Sequence, residues 1–290
     1  MAVKVITDST SYVPRELRAE LDLGVAGLSS LLDGVVYPDD AEDYEPFYSA
    51  LAASSAMPTT SQPAVQDMVD LMDERVAAGH EVAGVFISEK MSGTYSTALL
   101  ARDMVLERHP DARIEVVDGK SNSMELGFAA LAAARAAAAG QALSDVVAAA
   151  HTTIERTRFL FVPETLEYLR RGGRIGGASA LIGSLLQIKP ILTVVDGQTD
   201  VFGKVRTKPK AIQTILDAFA RDIAEKGGLA DAIVHHIHDE DAGRALAVRA
   251  SEVAGRNVGI CPIGPAIGAH VGPGAVALVY HTNEPMRKSG

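Results

Sequence analysis

The run Glu81-Val82-Ala83-Gly84-Val85-Phe86-Ile87 is followed closely by Ser92-Gly93-Thr94-Tyr95-Ser96-Thr97, after which a helix is expected to about Arg108. A continuous apolar run this short reads as one buried strand, so sheet and helix must alternate around it. At a strand–turn–helix junction the first helical N–H groups lack intrahelical partners. The helix dipole also places partial positive charge there, so amides and hydroxyls together can hold an anionic head group. Ser92 is the residue placed to touch such a ligand. Serine is also a preferred N-cap residue, so Ser92 serves equally well as a helix cap, and one oxygen can do both.

The same alternation extends over the first half. Strands are expected at 3–7, 25–37 (with a turn at Asp33-Gly34), 81–87 and 113–117, and helices at 14–22, 44–54, 63–78 and 92–108. Two Ala-rich helices between 129 and 150 meet near Gly140. This order predicts an α/β fold in which a largely parallel sheet carries helices on both faces, with ligands at the C-terminal ends of the strands. Three hydroxyl-rich turns gather at that edge: Asp8-Ser9-Thr10-Ser11, Thr59-Thr60-Ser61-Gln62-Pro63 and the Ser92 segment. In the middle one, Thr60 or Ser61 can cap the following helix, with Pro63 in its first turn.

The second half has a different texture. A strand (158–162), a helix (164–171), a glycine-rich link (172–177) and an apolar helix (178–188) precede a hairpin of 191–196 and 200–205 turning around Gly197-Gln198. A helix (208–226), a strand (232–236), a helix (239–254) and strands at 258–262 and 275–281 follow. Hairpins mixed with helices predict an α+β layer, and the expected domains are 1–155 and 156–290.

Composition narrows the function. The 290 residues are 47% apolar and 22% charged, which suits two domains with sizeable cores. The net charge is -10 and no Lys/Arg block stands out, which argues against nucleic acid and against an anionic membrane surface as partners. No apolar run is long enough to span a bilayer, so no stable membrane insertion is expected. A single cysteine, Cys261, excludes an internal disulfide framework, and the chain opens on strand-like residues rather than a signal segment; a cytoplasmic location is the expectation.

Familiar catalytic signatures are missing: there is no G-x-S-x-G elbow and no G-x-x-x-x-G-K-[ST] loop. Gly172 to Gly177 follows a helix rather than a strand, the wrong context for dinucleotide binding. His235, His236 and His238, with Asp239 and Asp241, form the best metal candidate, but such histidines more often serve as surface or core groups, and no metal is expected. Cys261, in an apolar run, reads as a small core residue. His270 lies among glycines that leave room for a ligand at the imidazole, or it is an ordinary turn histidine.

Taken together, Thr7-Asp8-Ser9, Thr59 to Pro63, Ser92 to Ser96, Val117-Asp118, Leu169 to Ile175, Lys189-Pro190-Ile191, Arg206 and Gly268 to Gly274 resemble the DegV family, the fatty-acid-binding subunits of bacterial fatty acid kinase. The resemblance covers essentially the whole chain. It implies a two-domain α/β protein that encloses a long-chain fatty acid between its domains and has no catalytic residue or cofactor of its own. Such a protein presents the carboxylate to a separate ATP-dependent fatty acid kinase catalytic subunit, which forms an acyl phosphate for phospholipid synthesis. By resemblance the carboxylate is held by Thr60, Ser61, Ser92 and His270, and Arg174 and Arg206 sit at the rim to meet the kinase or the phosphate, unless they are plain surface charges. A buried acyl chain gains about 0.8 kcal/mol per methylene, so affinity should come from an apolar tunnel. Leu181, Ile182, Leu185, Leu186 and Ile188 are its candidate walls, or ordinary core residues. Two other classes stay open. In a small-molecule kinase or phosphatase Asp8 would be a catalytic acid, and a stand-alone lipid transport or sensing protein would need no kinase.

Overall fold

The computed structural model describes residues 2–182 and 188–286. The chain opens with β1 (Val3–Asp8), a 3-10 turn (Ser9–Ser11), α1 (Arg15–Glu20), β2 (Gly24–Ala26), β3 (Ser29–Leu32), β4 (Val35–Pro38), α2 (Glu45–Ala53) and β5 (Thr59–Ser61). It continues through α3 (Val65–Ala77), β6 (Glu81–Phe86), α4 (Thr94–Arg108), β7 (Ile114–Asp118), α5 (Ser123–Ala138) and α6 (Leu143–Arg156). The remainder is β8 (Thr157–Val162), α7 (Glu167–Arg171), a 3-10 segment (Gly176–Leu181), β9 (Lys189–Val195), β10 (Gln198–Val205), α8 (Lys208–Glu225), β11 (Leu229–His236), α9 (Glu240–Ala254), β12 (Gly259–Pro262), α10 (Pro265–Val271) and β13 (Val276–Thr282). The fold is mixed α/β, as the alternation of the first half and the hairpins of the second require.

Two compact units emerge. The first comprises residues 1–29, 38–40 and 60–154, the second residues 30–37, 41–59 and 155–290. Residues 30–37 and 41–59, including α2, therefore group with the second unit, although a single break near 155 assigns them to the first. A small third sheet has the order β4-β3-β5.

The first unit is built on an all-parallel sheet of order β2-β1-β6-β7. Ile6, Val82, Phe86 and Ile114 on one face pack with Met68, Val69 and Met72 of α3 and Ala98, Ala101 and Val105 of α4. Their alternates Val5, Ala83 and Val85 are buried on the other face, where α5 packs on β1 and β6. Alanine along α5 permits close approach, and at Gly127 a Cβ would overlap the Ser11 carbonyl. Strand order reverses between β1 and β6, which makes their carboxyl ends the switch point at which open α/β sheets hold ligands.

The second unit carries a six-stranded sheet of order β10-β9-β8-β13-β11-β12, antiparallel except for β11 with β12. Leu160, Val162, Ile191, Val234, Val276, Leu278 and Tyr280 line one face and meet α8 and α9 through Ile215, Phe219 and Leu246. The hairpin turns on Asp196 and Gly197 at φ 48° and 80°, one residue earlier than expected, and Asp33 and Gly34 repeat the geometry at 49° and 81°. Two consecutive residues at positive φ are what a type I′ hairpin demands.

Three expectations need correction. The helix over 178–188 is, in its described part, a 3-10 segment ending at Leu181. Thr59–Ser61 is a short strand rather than a turn. The glycine-flanked stretch around His270 is a helix, begun by Pro265 after Gly264 and ended at Gly272, whose φ is 83°.

Candidate functional site

In the first unit the switch point is closed by Asp8. Its Oδ2 accepts the Ile87 N–H at 2.7 Å, and its Oδ1 accepts the Thr10 N–H at 3.0 Å and the Thr10 hydroxyl at 2.5 Å. Full burial lifts its pKa to about 6 against the pull of these hydrogen bonds. A carboxyl spent on stapling β1 to the end of β6 is a structural group, which weakens the reading of Asp8 as a catalytic acid.

The chain then turns through Ser88, whose carbonyl accepts the N–H groups of Met91 and Ser92 at 2.9 and 3.1 Å. Gly93, not Ser92, is the residue at the cap position of α4. Ser92 Oγ nonetheless accepts the Thr94 N–H at 3.3 Å and lies 2.9 Å from Thr94 Oγ1. Beside it, Gln62 Nε2 donates to Thr97 Oγ1 at 2.5 Å. A Cβ on Gly93 would overlap Gln62 Oε1, so the glycine is what lets this amide cross the start of α4. Thr60 is half-buried and Ser61 exposed on β5, and α3 starts behind Ala64 with no side-chain cap, so neither hydroxyl caps that helix. The first unit thus brings the hydroxyls of Ser92, Thr94 and Thr97 together at the positive end of α4.

In the second unit His270 occupies the last turn of α10. Burial, and then the charge of Arg174, push its pKa down to about 4, so the imidazole is neutral at physiological pH. Its Nδ1 edge rests on the backbone of Gly172, where a Cβ would overlap it, and Arg174 donates to the Gly172 carbonyl at 2.7 Å. Arg206, by contrast, is exposed between β10 and the Thr207 cap of α8 and makes no ion pair among the described residues. Beside Gly274, in the loop after α10, Glu164 receives Lys189 at 2.7 Å and Lys208 at 3.4 Å, and the Lys208 ammonium donates to the Gly274 carbonyl at 3.0 Å. The Lys189 hydrogen bond holds the Glu164 carboxyl below its usual range. This network braces the loop that follows α10.

Of the expected tunnel residues, Leu181 is buried, Ile188 half-buried and Ile182 half exposed, whereas Leu185 and Leu186 lie outside the described residues. Sequence reasoning missed a larger apolar surface. On the sheet face away from α8 and α9, Phe159, Phe161, Leu192, Val194, Ala277 and Val279 are all buried, the two phenyl rings 5.1 Å apart. The signal was present: β8 and β13 are apolar at both parities, the pattern of strands covered on both sides.

The histidine cluster does not converge. His235 is buried with Nδ1 3.0 Å from the Cys261 carbonyl, and burial lowers its pKa to about 4. His236 follows it in β11 and so points to the opposite face, and His238 lies beyond the strand with its ring stacked on Tyr48. Among the described residues no three His, Cys, Asp or Glu side chains are placed to hold a metal ion. Cys261 is half-buried with Sγ near the Pro262 carbonyl, not a core residue. No helix among the described residues is long and apolar enough to cross a membrane.

Comparison with known proteins extends this picture. A family model described as uncharacterised protein, DegV family, matches residues 2–283. A DegV domain-containing protein of Clostridium acetobutylicum is 46% identical over 287 residues, 99% of this chain and 100% of that protein. Among solved structures, a DegV family protein of Thermus thermophilus described as binding fatty acid is 34% identical with a TM-score of 0.86, covering 97% of this chain and 100% of the other. A fatty acid binding DegV family protein of Streptococcus agalactiae is 28% identical with a TM-score of 0.87, covering 98% and 100%.

Proposed function

Because the chain belongs to the DegV family, we propose that it binds one long-chain fatty acid and presents the carboxylate to a separate ATP-dependent fatty acid kinase subunit, itself contributing no catalytic residue. The observation that carries this reading is the whole-chain match to a structure described as binding fatty acid. The chemistry of the two units supports it. A fatty carboxylate taken out of water needs donors, yet must stay reactive enough to accept a phosphoryl group. Hydroxyls and a neutral imidazole meet both demands, since each donates a hydrogen bond without the permanent charge pairing of an arginine.

In this proposal Thr60, Ser61, Ser92 and His270 hold the head group. His270, neutral through burial, offers one ring N–H. Arg174 and Arg206 stand for the kinase or the phosphate of the product, where a planar guanidinium forms paired charge-assisted bonds. The acyl chain draws its affinity from apolar surface, for which Leu181, Ile182 and Ile188 and the face bearing Phe159, Phe161 and Val279 are candidates, with Leu185 and Leu186 beyond the described residues. About 16 carbons at roughly 0.8 kcal/mol per methylene outweigh any single head-group bond.

The test is mass spectrometry of a solvent extract of protein purified under mild conditions. About one long-chain fatty acid per chain is expected, because burial of the whole tail makes release slow. Stoichiometric nucleotide or metal with no lipid would overturn the reading.

A further inference from the structure

We propose that Tyr48 is a positioning residue for His270, acting through helix α10, an inference that rests on the reading of His270 as a head-group ligand. Tyr48 lies on α2, in the stretch of the first half that groups with the second unit, and residues 54–58 lead from that helix to the β5 hydroxyls. Its side chain is buried, and its phenol donates to the Ile263 carbonyl at 2.7 Å and reaches the Gly264 carbonyl at 3.2 Å. These are the two residues that lead into α10, and the Gly264 carbonyl also accepts the first helical bond, from Gly268 N–H at 2.9 Å.

One turn further on, Gly268 faces the phenol. A Cβ there would overlap the Tyr48 hydroxyl and stand 2.9 Å from Cζ, so the glycine is the space into which the tyrosine fits. The ring itself is fixed on two sides. His238 stacks on it at 5.2 Å and 20°, and Phe47 meets it edge-on at 5.1 Å. His238 is in turn held 3.5 Å from Glu45 Oε2, and the other oxygen of that carboxylate accepts the Ser49 hydroxyl at 2.6 Å.

The physical reason such a grip matters is the shortness of α10. Seven residues cannot hold a helix in water on their own, so tertiary contacts at the ends set the direction of its axis. At the far end a Cβ on Gly272 would overlap Tyr168, and the Gly172 backbone seats His270. At the near end the grip is Tyr48. From Ile263 to His270 is about 10 Å at 1.5 Å per residue, so a swing of about 10° at the start displaces the imidazole by nearly 2 Å. A displacement of that size is enough to lose a directed hydrogen bond to a carboxylate.

Tyr48→Phe keeps the stacked ring and removes only the hydroxyl. Retention of a 16-carbon fatty acid should fall roughly three- to tenfold, the effect of one neutral hydrogen bond, while the variant remains folded by circular dichroism. The same substitution in a His270→Ala background should change retention little. Gly268→Ala should reproduce the loss, and Tyr48→Phe should partly rescue Gly268→Ala by removing the overlapping oxygen. An NMR titration of the His270 ring should show its pKa rising from about 4 in Tyr48→Phe as water reaches it. Where His270→Ala itself lowers retention, equal losses from Tyr48→Phe with and without His270, or no loss from Tyr48→Phe, would overturn the positioning role. If His270→Ala itself leaves retention intact, the head-group reading falls. The titration then decides positioning alone: a rise supports it and an unchanged value overturns it.

Discussion

Loading the protein with a long-chain fatty acid should raise the pKa of His270. Burial and Arg174 bring this imidazole from 6.5 to about 4. That drop of roughly 2.5 pH units, at 1.36 kcal/mol each, means that charging the ring costs about 3 kcal/mol more here than in water. A carboxylate within about 4 to 6 Å favours the charged form by 1 to 3 pH units, so the loaded protein should titrate between about 5 and 7. The sign for stability is the reverse of the sign for binding. A depressed histidine stabilises the fold above pH 6.5, and that contribution is lost as pH falls from 6.5 through about 4, because the unfolded chain takes up the proton first. Binding, which raises the folded value, takes up a fraction of a proton, so affinity should rise as pH is lowered from 7 toward 5. The assay is a proton–carbon NMR titration of the imidazole in delipidated and loaded protein, with Arg174→Ala as a control. That control should rise only part of the way to 6.5, burial being the larger cause. Identical titration curves for empty and loaded protein would remove His270 from the carboxylate.

Ser92→Ala should leave the fold intact and weaken carboxylate retention by about 1 to 3 kcal/mol, read by competition with a fluorescent fatty acid, because it takes a donor from a desolvated anion; unfolding with unchanged affinity per folded molecule would make Ser92 a cap alone. Arg206→Ala should keep fatty-acid content while cutting acyl-phosphate formation by the cognate kinase at least about tenfold, one charge-assisted contact, and Arg206→Lys should restore part of it; equal turnover would sink that role. Asp8→Asn should flatten the pH dependence of stability between pH 4 and 6. The raised Asp8 pKa of about 6 makes the wild-type contribution largest below 3.8 and lost as pH rises through 6, so chemical denaturation of the two proteins at several pH values decides the matter.

Much of the fold is legible in local pattern. β6 stands out because Glu81–Phe86 is buried at every position, and the Asp-Gly pair at 33–34 announces its turn because few other sequences accept two positive φ values, while the hairpin at 196–197 turns one residue earlier than expected. β5 and α10 were harder. Three residues carry no usable period, and Pro265 to Val271 reads as a loop because glycines surround it, although Pro265 and Gly272 are a helix start and stop. Of the site, the residues of the short motifs could be named, but not their partners. Gln62 finds Thr97 and Tyr48 finds Ile263 across long sequence separations, and no local pattern encodes such choices.

The motif glycines show where that missing information resides. A glycine beside a functional side chain is usually credited with backbone freedom, yet Gly93 and Gly172 have φ of -71° and -75° and Gly268 is helical, conformations open to any residue. What each provides is the volume of one methyl group, and in each case a polar side-chain end fills it: Gln62 at Gly93, His270 at Gly172 and the Tyr48 hydroxyl at Gly268. These glycines are therefore the imprint of long-range partners that the linear sequence does not name. Alanine at Gly268 should lose stability although it is the better intrinsic helix former by about 1 kcal/mol, because the Tyr48 ring is held by Phe47 and His238 and cannot withdraw, whereas at Gly93 the long Gln62 side chain can swing aside. A Gly268→Ala variant that gained stability would show that the space is not needed by Tyr48.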